Sequence, residues 1–357
     1  MDIAQNAKKI LQDYVAEINP KLAAYWYKEI SGNFGFNDRQ KQMVHDLLEH
    51  SKEHNLRASK RLRGSYVNYG FKLSGKALDD VVWQAAIGIE LVHTALLMHD
   101  DFMDQDTVRR GGPTTHKFYE KKFNGNVHLG ESMAVSAADA VLCLGFELIH
   151  NCGNSKATQQ MLRGITNTAY GQAYDLELEA FSNWTQDDVI TLHKAKTAIY
   201  TYENPLFIGA YLGEIDNPHV FDILHDYSMD GGVAFQLQDD ILGVFGTPEK
   251  TGKSADSDLL QGKCTLLVLK LLENGTGSQK QSLHKVWGKM QASKEDLNAA
   301  KQALMDSGSY AYSKDLAKQY ARKAADSAAK LRGISEINTK AIDYIQGVAE
   351  YMVIREV

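Results

Sequence analysis

The sequence is poor in cysteine and in proline, and both shortages restrict the structures it can form. Its three cysteines, Cys143, Cys152 and Cys264, are an odd number without CxxC spacing, which argues against a disulfide framework and against a zinc site. They favour a reducing compartment, so we expect a cytoplasmic protein. Only five prolines occur in 357 residues, and long helices can form between them.

Long uncharged apolar runs and basic runs are also missing. The stretch MDIAQNAKKILQDYVAEI carries a charge every few residues, unlike a secretory signal, and no uncharged apolar window of about 18 residues occurs elsewhere. We therefore expect no membrane span. With 39 Lys and Arg against 45 Asp and Glu, the formal charge is -6, so we expect no nucleic-acid partner. Because the chain has neither GxxxxGKS/T nor a strand followed by GxGxxG, a nucleotide is not expected either.

Apolar residues recur at three- and four-residue spacing through most of the chain, which favours helices over strands. In VVWQAAIGIELVHTALLMHDD they fill several faces, so this helix is expected to be buried nearly all round. The C-terminal segments KEDLNAAKQALMDSG and YSKDLAKQYARKAADSAAKLRGI are amphipathic and should form outer helices. Since no Pro- or Ser-rich linker divides the chain, we predict an all-α fold with residues 1–357 in a single large helical bundle.

Four carboxylates follow the apolar run in LLMHDDFMDQDTVRRGGPTTH, namely Asp100, Asp101, Asp104 and Asp106. On a helix Asp100 and Asp104 stand one turn apart on one face, where their oxygens can converge on one ion. A second pair, Asp239 and Asp240, closes the apolar pattern of FQLQDDILG. Two such acidic helix ends are costly unless cations neutralise them, and Mg²⁺ prefers oxygen ligands of this kind.

Positive charges lie in four separate clusters, which indicates a ligand rich in phosphate. The clusters are Lys60, Arg61 and Arg63; Arg109 and Arg110; Lys194 and Lys196; and Lys253 and Lys263. Of these, Arg61, Lys194 and Lys263 are interpreted as ordinary solvated side chains. Together with the acidic pairs, the clusters predict a phosphorylated substrate whose other end enters an apolar helix bundle.

From about residue 55 to the C-terminus, the chain resembles the trans-isoprenyl diphosphate synthases, or polyprenyl synthetases. The motifs that carry this resemblance, in family order, are KRLR, HDDFMDQDTVRRG, GQAYDL, KTAIY, FQLQDDILG and GKSADSDLLQGKCT. The resemblance implies a helical bundle of the isoprenoid synthase type around a central apolar cavity. One departure is Gly243, which stands where the second acidic motif commonly has a third Asp; some members resembling geranylgeranyl diphosphate synthases share this ending.

The resemblance implies head-to-tail condensation of isopentenyl diphosphate with an allylic diphosphate, and it assigns the residues as follows. Mg²⁺, as three ions with substrate bound, is assigned to Asp100, Asp104 and Asp239, with Asp101 and Asp240 orienting metal-bound water. The allylic diphosphate is assigned to Arg109, Lys196 and Lys253, and isopentenyl diphosphate to Lys60, Arg63, His93 and Arg110. Gln236 and Thr197 are placed beside the carbocation. Without the resemblance, His93 would read as a core histidine.

Product length in this family is set by the residues five and four positions before the first Asp, here Ala95 and Leu96. Ala95 is small, which favours the twenty-carbon product geranylgeranyl diphosphate over the farnesyl product, while Leu96 limits longer chains. A class I terpene cyclase is a weaker alternative, because it would not need the isopentenyl-binding set. A non-catalytic synthase subunit is another, although the first Asp motif is whole. The resemblance also implies a homodimer.

Overall fold

The computed structural model describes residues 2–32, 35–247, 256–289 and 291–354, and nearly all of its regular structure is helical. The helices, in chain order, are α1 (Ile3–Ile30), α2 (Asp38–Leu56), α3 (Leu62–Lys72), α4 (Asp80–Met103), α5 (Thr115–Lys122), α6 (Val127–His150), α7 (Ser155–Phe181), α8 (Gln186–Leu192), α9 (Asn204–Leu212), α10 (Pro218–Phe245), α11 (Ser257–Gln261), α12 (Leu266–Asn274), α13 (Gly277–His284), α14 (Lys294–Asp306), α15 (Ser309–Lys330) and α16 (Thr339–Ile354). The prediction of an all-α fold is confirmed. In these ranges the only strand pair is a short hairpin, β1 (Val108–Arg109) with β2 (Gly112–Pro113).

Helix α4 carries the first acidic motif into the middle of the structure. Its start is capped by Asp79, whose side chain accepts a hydrogen bond from the Val82 amide at 3.0 Å. Along its length α4 packs against α3 and α6, and most of its faces are buried, as the sequence predicts. The crossing with α6 is close because two glycines meet there: a Cβ on Gly88 would lie 2.9 Å from the Gly145 carbonyl oxygen. The core therefore fixes the direction in which the acidic end of α4 points.

Three clusters of buried apolar side chains hold the helices together. The largest joins α1, α3, α4, α9, α10, α15 and α16, and a second joins α8 and the end of α10 to α11–α15. The third surrounds Trp26, which is fully buried between α1, α2, α4 and α6. Its indole N–H donates to Asn55 at 2.9 Å, and Asn55 donates to Thr94 at 2.7 Å. Because these polar groups satisfy each other, α2 can pack on α4 without an unpaired amide.

The hairpin directly after α4 positions the two arginines of the first motif. Its turn has positive φ at Arg110 (50°) and Gly111 (78°), which suits the right-handed twist of a two-residue hairpin. Both strands are held by Arg57, which follows α2. Its guanidinium donates to the carbonyl oxygens of Arg109 at 2.8 Å and Pro113 at 3.0 Å. The arginines are therefore anchored to the chain segment that leads into α3.

The Lys-Thr motif lies in a π-helical segment, His193–Glu203, between α8 and α9. Sequence periodicity predicts a plain helix here, so the wider winding is a difference from expectation. Single π-helical stretches are often found at functional sites. In this one Lys196 and Thr197 are carried to the same end of the bundle as the acidic helix ends.

Helices α4 and α6 are both long and apolar enough to cross a membrane, judged by length and composition alone. Within the described residues, 61% of the most apolar window of α4 is buried, compared with 33% for α6. The composition of α4 is explained by its central position among the other helices. Much of the apolar side of α6 instead lies on the surface.

Candidate active site

The first acidic motif ends α4 with two carboxylates on one face, as predicted. Asp104 caps the helix, and its amide donates to the Asp100 carbonyl at 2.8 Å. Each carboxylate lies beside an ammonium group: Lys196 Nζ is 3.3 Å from Asp100 Oδ1, and Lys263 Nζ is 2.8 Å from Asp104 Oδ1. The repulsion between these carboxylates is therefore balanced by two lysines that arrive from distant parts of the chain.

Asp101 points away from this face into a buried network. It has no exposed surface, and it accepts a hydrogen bond from Arg109 Nε at 2.6 Å. On its other side His54 Nε2 lies 3.7 Å from Asp101 Oδ2. Arg109 also contacts Asp106 at 3.1 Å and lies 3.7 Å from Asp100. Asp101 thus faces Arg109 and His54, which favours an orienting role over direct metal ligation.

The charge of Arg109 is strongly favoured by this arrangement. Burial alone would oppose its protonation, but the carboxylates of Asp101, Asp100 and Asp106 outweigh that cost and raise the pKa of Arg109 above its usual value. The guanidinium is consequently a permanent positive charge at the base of the first acidic motif.

The second acidic pair on α10 is tied to the π-helical segment. Gln236 Nε2 donates to Asp240 Oδ1 at 2.9 Å, and the Gln236 amide oxygen accepts from the Thr197 hydroxyl at 2.7 Å. His193 Nε2 lies 3.3 Å from Asp240 Oδ2. Asp239 is partly exposed beside Asp240. The structure thus brings together the predicted residues Thr197, Gln236 and Asp240 in one chain of contacts.

The two acidic helix ends meet at one mouth of the bundle. Lys196 contacts Asp100 of α4, and the next residue, Thr197, reaches Asp240 of α10 through Gln236. The π-helical segment therefore lies between the two motifs and contacts both. Asp100 and Asp240, far apart in sequence, thus lie on either side of one segment.

Asp175 and Glu179 of α7 complete the acidic rim, and sequence reasoning gave neither a role. Asp175 Oδ2 lies 2.8 Å from Lys196 Nζ and 3.8 Å from Lys263 Nζ, and Glu179 Oε1 lies 2.7 Å from Lys263 Nζ. The motif GQAYDL, which contains Asp175, is the sequence signal for this part of the rim. Although burial opposes the charge of Lys263, Asp175, Asp104 and Glu179 raise the pKa of its ammonium group. The interpretation of Lys263 as an ordinary solvated side chain is therefore wrong.

A group of positive charges, separate from the acidic helix ends, lies beside α4. Arg63 Nη1 donates to His93 Nε2 at 3.0 Å, its Nη2 donates to the Thr201 hydroxyl at 2.7 Å, and its guanidinium lies 4.7 Å above the Tyr200 ring. Burial and the nearby Arg63 hold the pKa of His93 well below its usual value, so the imidazole is neutral and accepts this bond.

Arg110 belongs to the same group of charges. Its pKa is lowered to about 10 by burial and by the nearby Arg61, Arg109 and Arg63. The other three guanidinium groups repel that of Arg110, and an anion bound beside it would offset that repulsion. The buried Nε of Arg63 and Nδ1 of His93 have no hydrogen-bond partner within the described residues, and both fit such an anion.

Other predicted basic residues have different positions. The interpretation of Arg61 as a solvated side chain is wrong, because it is buried and contacts Glu90 at 3.3 Å, Asn19 at 3.0 Å and the Asn55 carbonyl at 2.7 Å. These contacts tie α3 to α1, α2 and α4. Lys60 is exposed at the start of α3, and Lys194 is exposed as expected. Lys253 lies outside the described residues.

The two residues predicted to set product length lie in different surroundings. Ala95 has no exposed surface and packs in the cluster of Trp26, Leu48, Leu91 and Val141. Leu96 is partly exposed and packs against the main core, one turn before Asp100 on the same face. The two neighbouring side chains therefore face different parts of the core.

The donor set at the mouth fits a divalent cation. Among the described residues no three carboxylate, imidazole or thiolate groups are already gathered as a metal cage. The carboxylates of Asp100 and Asp104 are instead in contact with ammonium groups, which supply positive charge at the position where a metal ion would contact them. Oxygen donors in this number, together with phosphate oxygens, are what Mg²⁺ prefers.

Comparisons with known proteins agree with this geometry. A profile of the polyprenyl synthetase family matches residues 45–304. The chain is 33% identical over 335 residues to a geranylgeranyl diphosphate synthase of Saccharolobus solfataricus, covering 90% of this chain and 95% of that relative. The crystal structure of a geranylgeranyl pyrophosphate synthase from Corynebacterium glutamicum, complexed with isoprenyl diphosphate and magnesium, superposes with a TM-score of 0.81 at 25% identity over 100% of both chains. A polyprenyl synthase from Caulobacter crescentus, crystallised with calcium and isoprenyl diphosphate, superposes with a TM-score of 0.79. It is 25% identical to this chain, and the match covers 97% of this chain and 98% of that one.

Proposed function

The chain belongs to the polyprenyl synthetase family, and from this premise we propose that it condenses isopentenyl diphosphate with an allylic diphosphate to form geranylgeranyl diphosphate. The twenty-carbon product is supported by the relative in Saccharolobus solfataricus and by the Corynebacterium structure, both named as synthases of this product. Isopentenyl diphosphate, the allylic diphosphate and Mg²⁺ are then the molecules that the site must hold.

In the proposed reaction the acidic mouth binds the allylic diphosphate. Asp100, Asp104 and Asp239 would hold Mg²⁺, as three ions when substrate is bound, and the metal would neutralise the charge that develops on the leaving pyrophosphate. The protein adds fixed positive charges of its own at this mouth, namely Arg109 and Lys196. Asp101 orients Arg109, and Asp240 orients Gln236, through the hydrogen bonds that each carboxylate accepts. Lys253 keeps its predicted role on the same diphosphate.

Isopentenyl diphosphate binds beside α4 without metal, because its own diphosphate must not leave. Arg63 and Arg110 would bind its phosphate oxygens, and Lys60 would add a further charge at the exposed rim. His93, being neutral, would donate from its unpaired Nδ1. The two substrates therefore lie on either side of the hairpin arginines.

The carbocation formed between the substrates needs nearby dipoles that are not nucleophiles. The Thr197 hydroxyl donates a hydrogen bond to the Gln236 amide oxygen at 2.7 Å, and this bond fixes the direction of both dipoles. Closure around the substrates keeps water from quenching the cation to an alcohol. The proton lost in the last step goes to the released pyrophosphate.

Product length is limited by Leu96 more than by Ala95. Leu96 lies one turn from Asp100 and keeps exposed surface, whereas Ala95 is packed away against Trp26. The tail of the growing product therefore meets Leu96 first.

The working enzyme is a homodimer in the cytoplasm. Its partner surface is the exposed apolar side of α6 and α7, which includes Val127, Leu129, Val135, Leu162, Tyr170 and Phe181. Large exposed apolar patches mark contact surfaces in many proteins. Light scattering of the purified chain should give twice the chain mass, and Tyr170→Glu should shift it towards the monomer. The cytoplasmic location is supported by the three free cysteines, because a reducing compartment keeps thiols unpaired.

The observation that carries the proposal is the meeting of two acidic helix ends at one mouth through the π-helical segment. The test incubates the purified chain with Mg²⁺, isopentenyl diphosphate and each allylic starter in turn, followed by chain-length analysis of the products. The expected product is geranylgeranyl diphosphate, lost on metal chelation and in Asp100→Asn. A hydrocarbon formed from one substrate would indicate a terpene cyclase, and no product from the chain alone would indicate a non-catalytic subunit; either result contradicts the proposal.

A further inference from the structure

The π-helical segment His193–Glu203 contacts groups assigned to both substrates. Near its start, Lys196 Nζ lies 3.3 Å from Asp100 Oδ1 at the end of α4. Near its end, the Thr201 hydroxyl accepts a hydrogen bond of 2.7 Å from Nη2 of Arg63 on α3. The first contact belongs to the acidic mouth, and the second belongs to the group of positive charges beside α4. One stretch of chain therefore connects the two proposed diphosphate sites.

The wide winding of this segment decides which of its side chains lie near each other. Lys196 and Thr201 are five residues apart, and the i→i+5 hydrogen bonds of a π-helix join residues at this spacing. At the end of the segment the Asn204 amide accordingly donates to the Ile199 carbonyl. In an α-helix, with 3.6 residues per turn, two side chains five residues apart would point roughly 140° apart. The π-helical winding therefore brings Lys196 and Thr201 closer to one side of the segment, the side that contacts α3 and α4.

Three groups hold the guanidinium of Arg63. Its Nη1 donates to His93 Nε2 at 3.0 Å, its Nη2 donates to the Thr201 hydroxyl at 2.7 Å, and its Cζ lies 4.7 Å from the centre of the Tyr200 ring. A ring beside a flat guanidinium leaves it free to turn in its own plane, so the two hydrogen bonds set its direction. His93 is itself assigned to the substrate. Thr201 is consequently the hydrogen-bonded support of Arg63 that does not also bind substrate.

The hydrogen bond from Arg63 to Thr201 is shielded from water on the threonine side. Only 1% of the Thr201 surface is exposed, whereas Arg63 is partly exposed. Because threonine is branched at Cβ, its χ1 angle has few allowed values, and the hydroxyl oxygen keeps one direction. A hydrogen bond with a charged donor is also stronger than one between neutral groups. Loss of the hydroxyl would therefore leave Nη2 without its acceptor and let the guanidinium turn.

We propose that Thr201 is a positioning residue for isopentenyl diphosphate. Through its hydrogen bond to Nη2, it holds the Arg63 guanidinium so that the unpaired Nε faces the phosphate oxygens of the substrate. Arg63 then has its direction before the substrate arrives, and less order has to be created on binding. This inference rests on the proposed function. It assigns Thr201 to the isopentenyl site and not to the acidic mouth.

The test compares steady-state kinetics of the full chain and of Thr201→Val, with isopentenyl diphosphate and the allylic diphosphate varied in turn. Valine keeps the branched shape and removes the acceptor. The KM for isopentenyl diphosphate should rise by about tenfold or more, because a hydrogen bond to a charged group is lost. Since this bond supports the bound substrate and the transition state equally, kcat and the KM for the allylic diphosphate should change by no more than about twofold. Thr201→Ser returns the hydroxyl and should bring the KM for isopentenyl diphosphate to within about threefold of the wild-type value.

Thr168→Val is the matched control. Thr168 of α7 is also buried, but its hydroxyl donates to the Gly164 carbonyl of its own helix at 2.8 Å. Its replacement leaves no charged donor unpaired, so the KM values of both substrates should stay within about twofold of wild type. A second comparison tests whether Thr201 acts through Arg63. In an Arg63→Met background, Thr201→Val should raise the KM for isopentenyl diphosphate by no more than about twofold, because its partner is already absent.

The inference is overturned if Thr201→Val leaves the KM for isopentenyl diphosphate unchanged, or if it raises the KM values of both substrates equally. It is also overturned if Thr201→Ser is as impaired as Thr201→Val, or if Thr201→Val keeps its full effect in the Arg63→Met background. Thermal unfolding shows whether Thr201→Val folds, and if it does not, Thr201→Ala is measured in its place. Failure of the proposed function is distinguished separately, because the wild-type chain itself would then form no prenyl diphosphate. An active wild-type chain whose KM values ignore Thr201→Val refutes only the role of Thr201.

Discussion

Replacing Lys263 with glutamine tests whether one ammonium group neutralises the acidic mouth when no metal is bound. Lys263 lies 2.8 Å from Asp104 and 2.7 Å from Glu179, and its side chain is 14% exposed. Removing one partner from a buried ion pair costs about 3–5 kcal/mol, because the remaining charges are left without compensation. Since this site is partly open to solvent, we expect a loss of about 3 kcal/mol in the free energy of unfolding of the metal-free protein.

Magnesium should return part of that loss. Without the competing ammonium group the mouth is more negative, so Mg²⁺ should bind the variant about tenfold more tightly, which is worth about 1.4 kcal/mol of additional stabilisation at saturating metal. The loss caused by Lys263→Gln should therefore shrink to about 1.6 kcal/mol in excess Mg²⁺. The assay is urea unfolding followed by circular dichroism, in chelator and in excess Mg²⁺.

Lys270→Gln is the matched control. Lys270 is also 14% exposed, but its carboxylate partner, Glu273 at 2.7 Å, is exposed, and its ammonium group also lies 4.9 Å from the centre of the Tyr312 ring. Its replacement should cost no more than about 1 kcal/mol, equally with and without metal. The reasoning is refuted if Lys263→Gln costs no more than this control, or if its cost is the same in chelator and in Mg²⁺.

Three further predictions follow from the packing around the site and from one buried histidine. Leu96→Phe should shorten the main product, measured by chromatography of the dephosphorylated products, and an unchanged product length would place the limit elsewhere. Ala95→Phe should instead lower the free energy of unfolding by about 1–3 kcal/mol through overpacking against Trp26, with wild-type stability as the contrary result. Burial, and to a lesser extent the nearby His54, lowers the pKa of His50 to about 4. Between pH 6.5 and 4, His50 is therefore protonated in the unfolded chain but not in the folded chain. Unfolding free energy should therefore fall as the pH drops through this window, by roughly 2–3 kcal/mol from this group, and His50→Gln should reduce the difference between urea midpoints at about pH 7 and about pH 4.5. If His50→Gln left the difference between these midpoints unchanged, His50 would not be the cause of the pH dependence.

The helices and the acidic ends were predictable from sequence because both depend on local spacing. Asp100 and Asp104 are four residues apart, and helical geometry alone puts them on one face. The partners of these groups were not predictable. Lys263 meets Asp104 across 159 residues of sequence, and Arg61 meets Glu90 in a contact that exists only when α3 packs on α4.

The π-helical winding of the Lys-Thr motif also has no local signal, since its residues show ordinary helical spacing. Motifs could therefore be located from sequence, whereas the pairing of charges between motifs required the structure.

The turn of the short hairpin has a consequence for how the reaction is arranged in space. Arg109, assigned to one reactant, and Arg110, assigned to the other, are consecutive residues, and consecutive Cα atoms are about 3.8 Å apart. Arg57 clamps the carbonyl groups on both sides of this turn. In the proposed reaction a single peptide unit would therefore be the spacer between the two diphosphates, and inserting one residue there would lengthen that spacer.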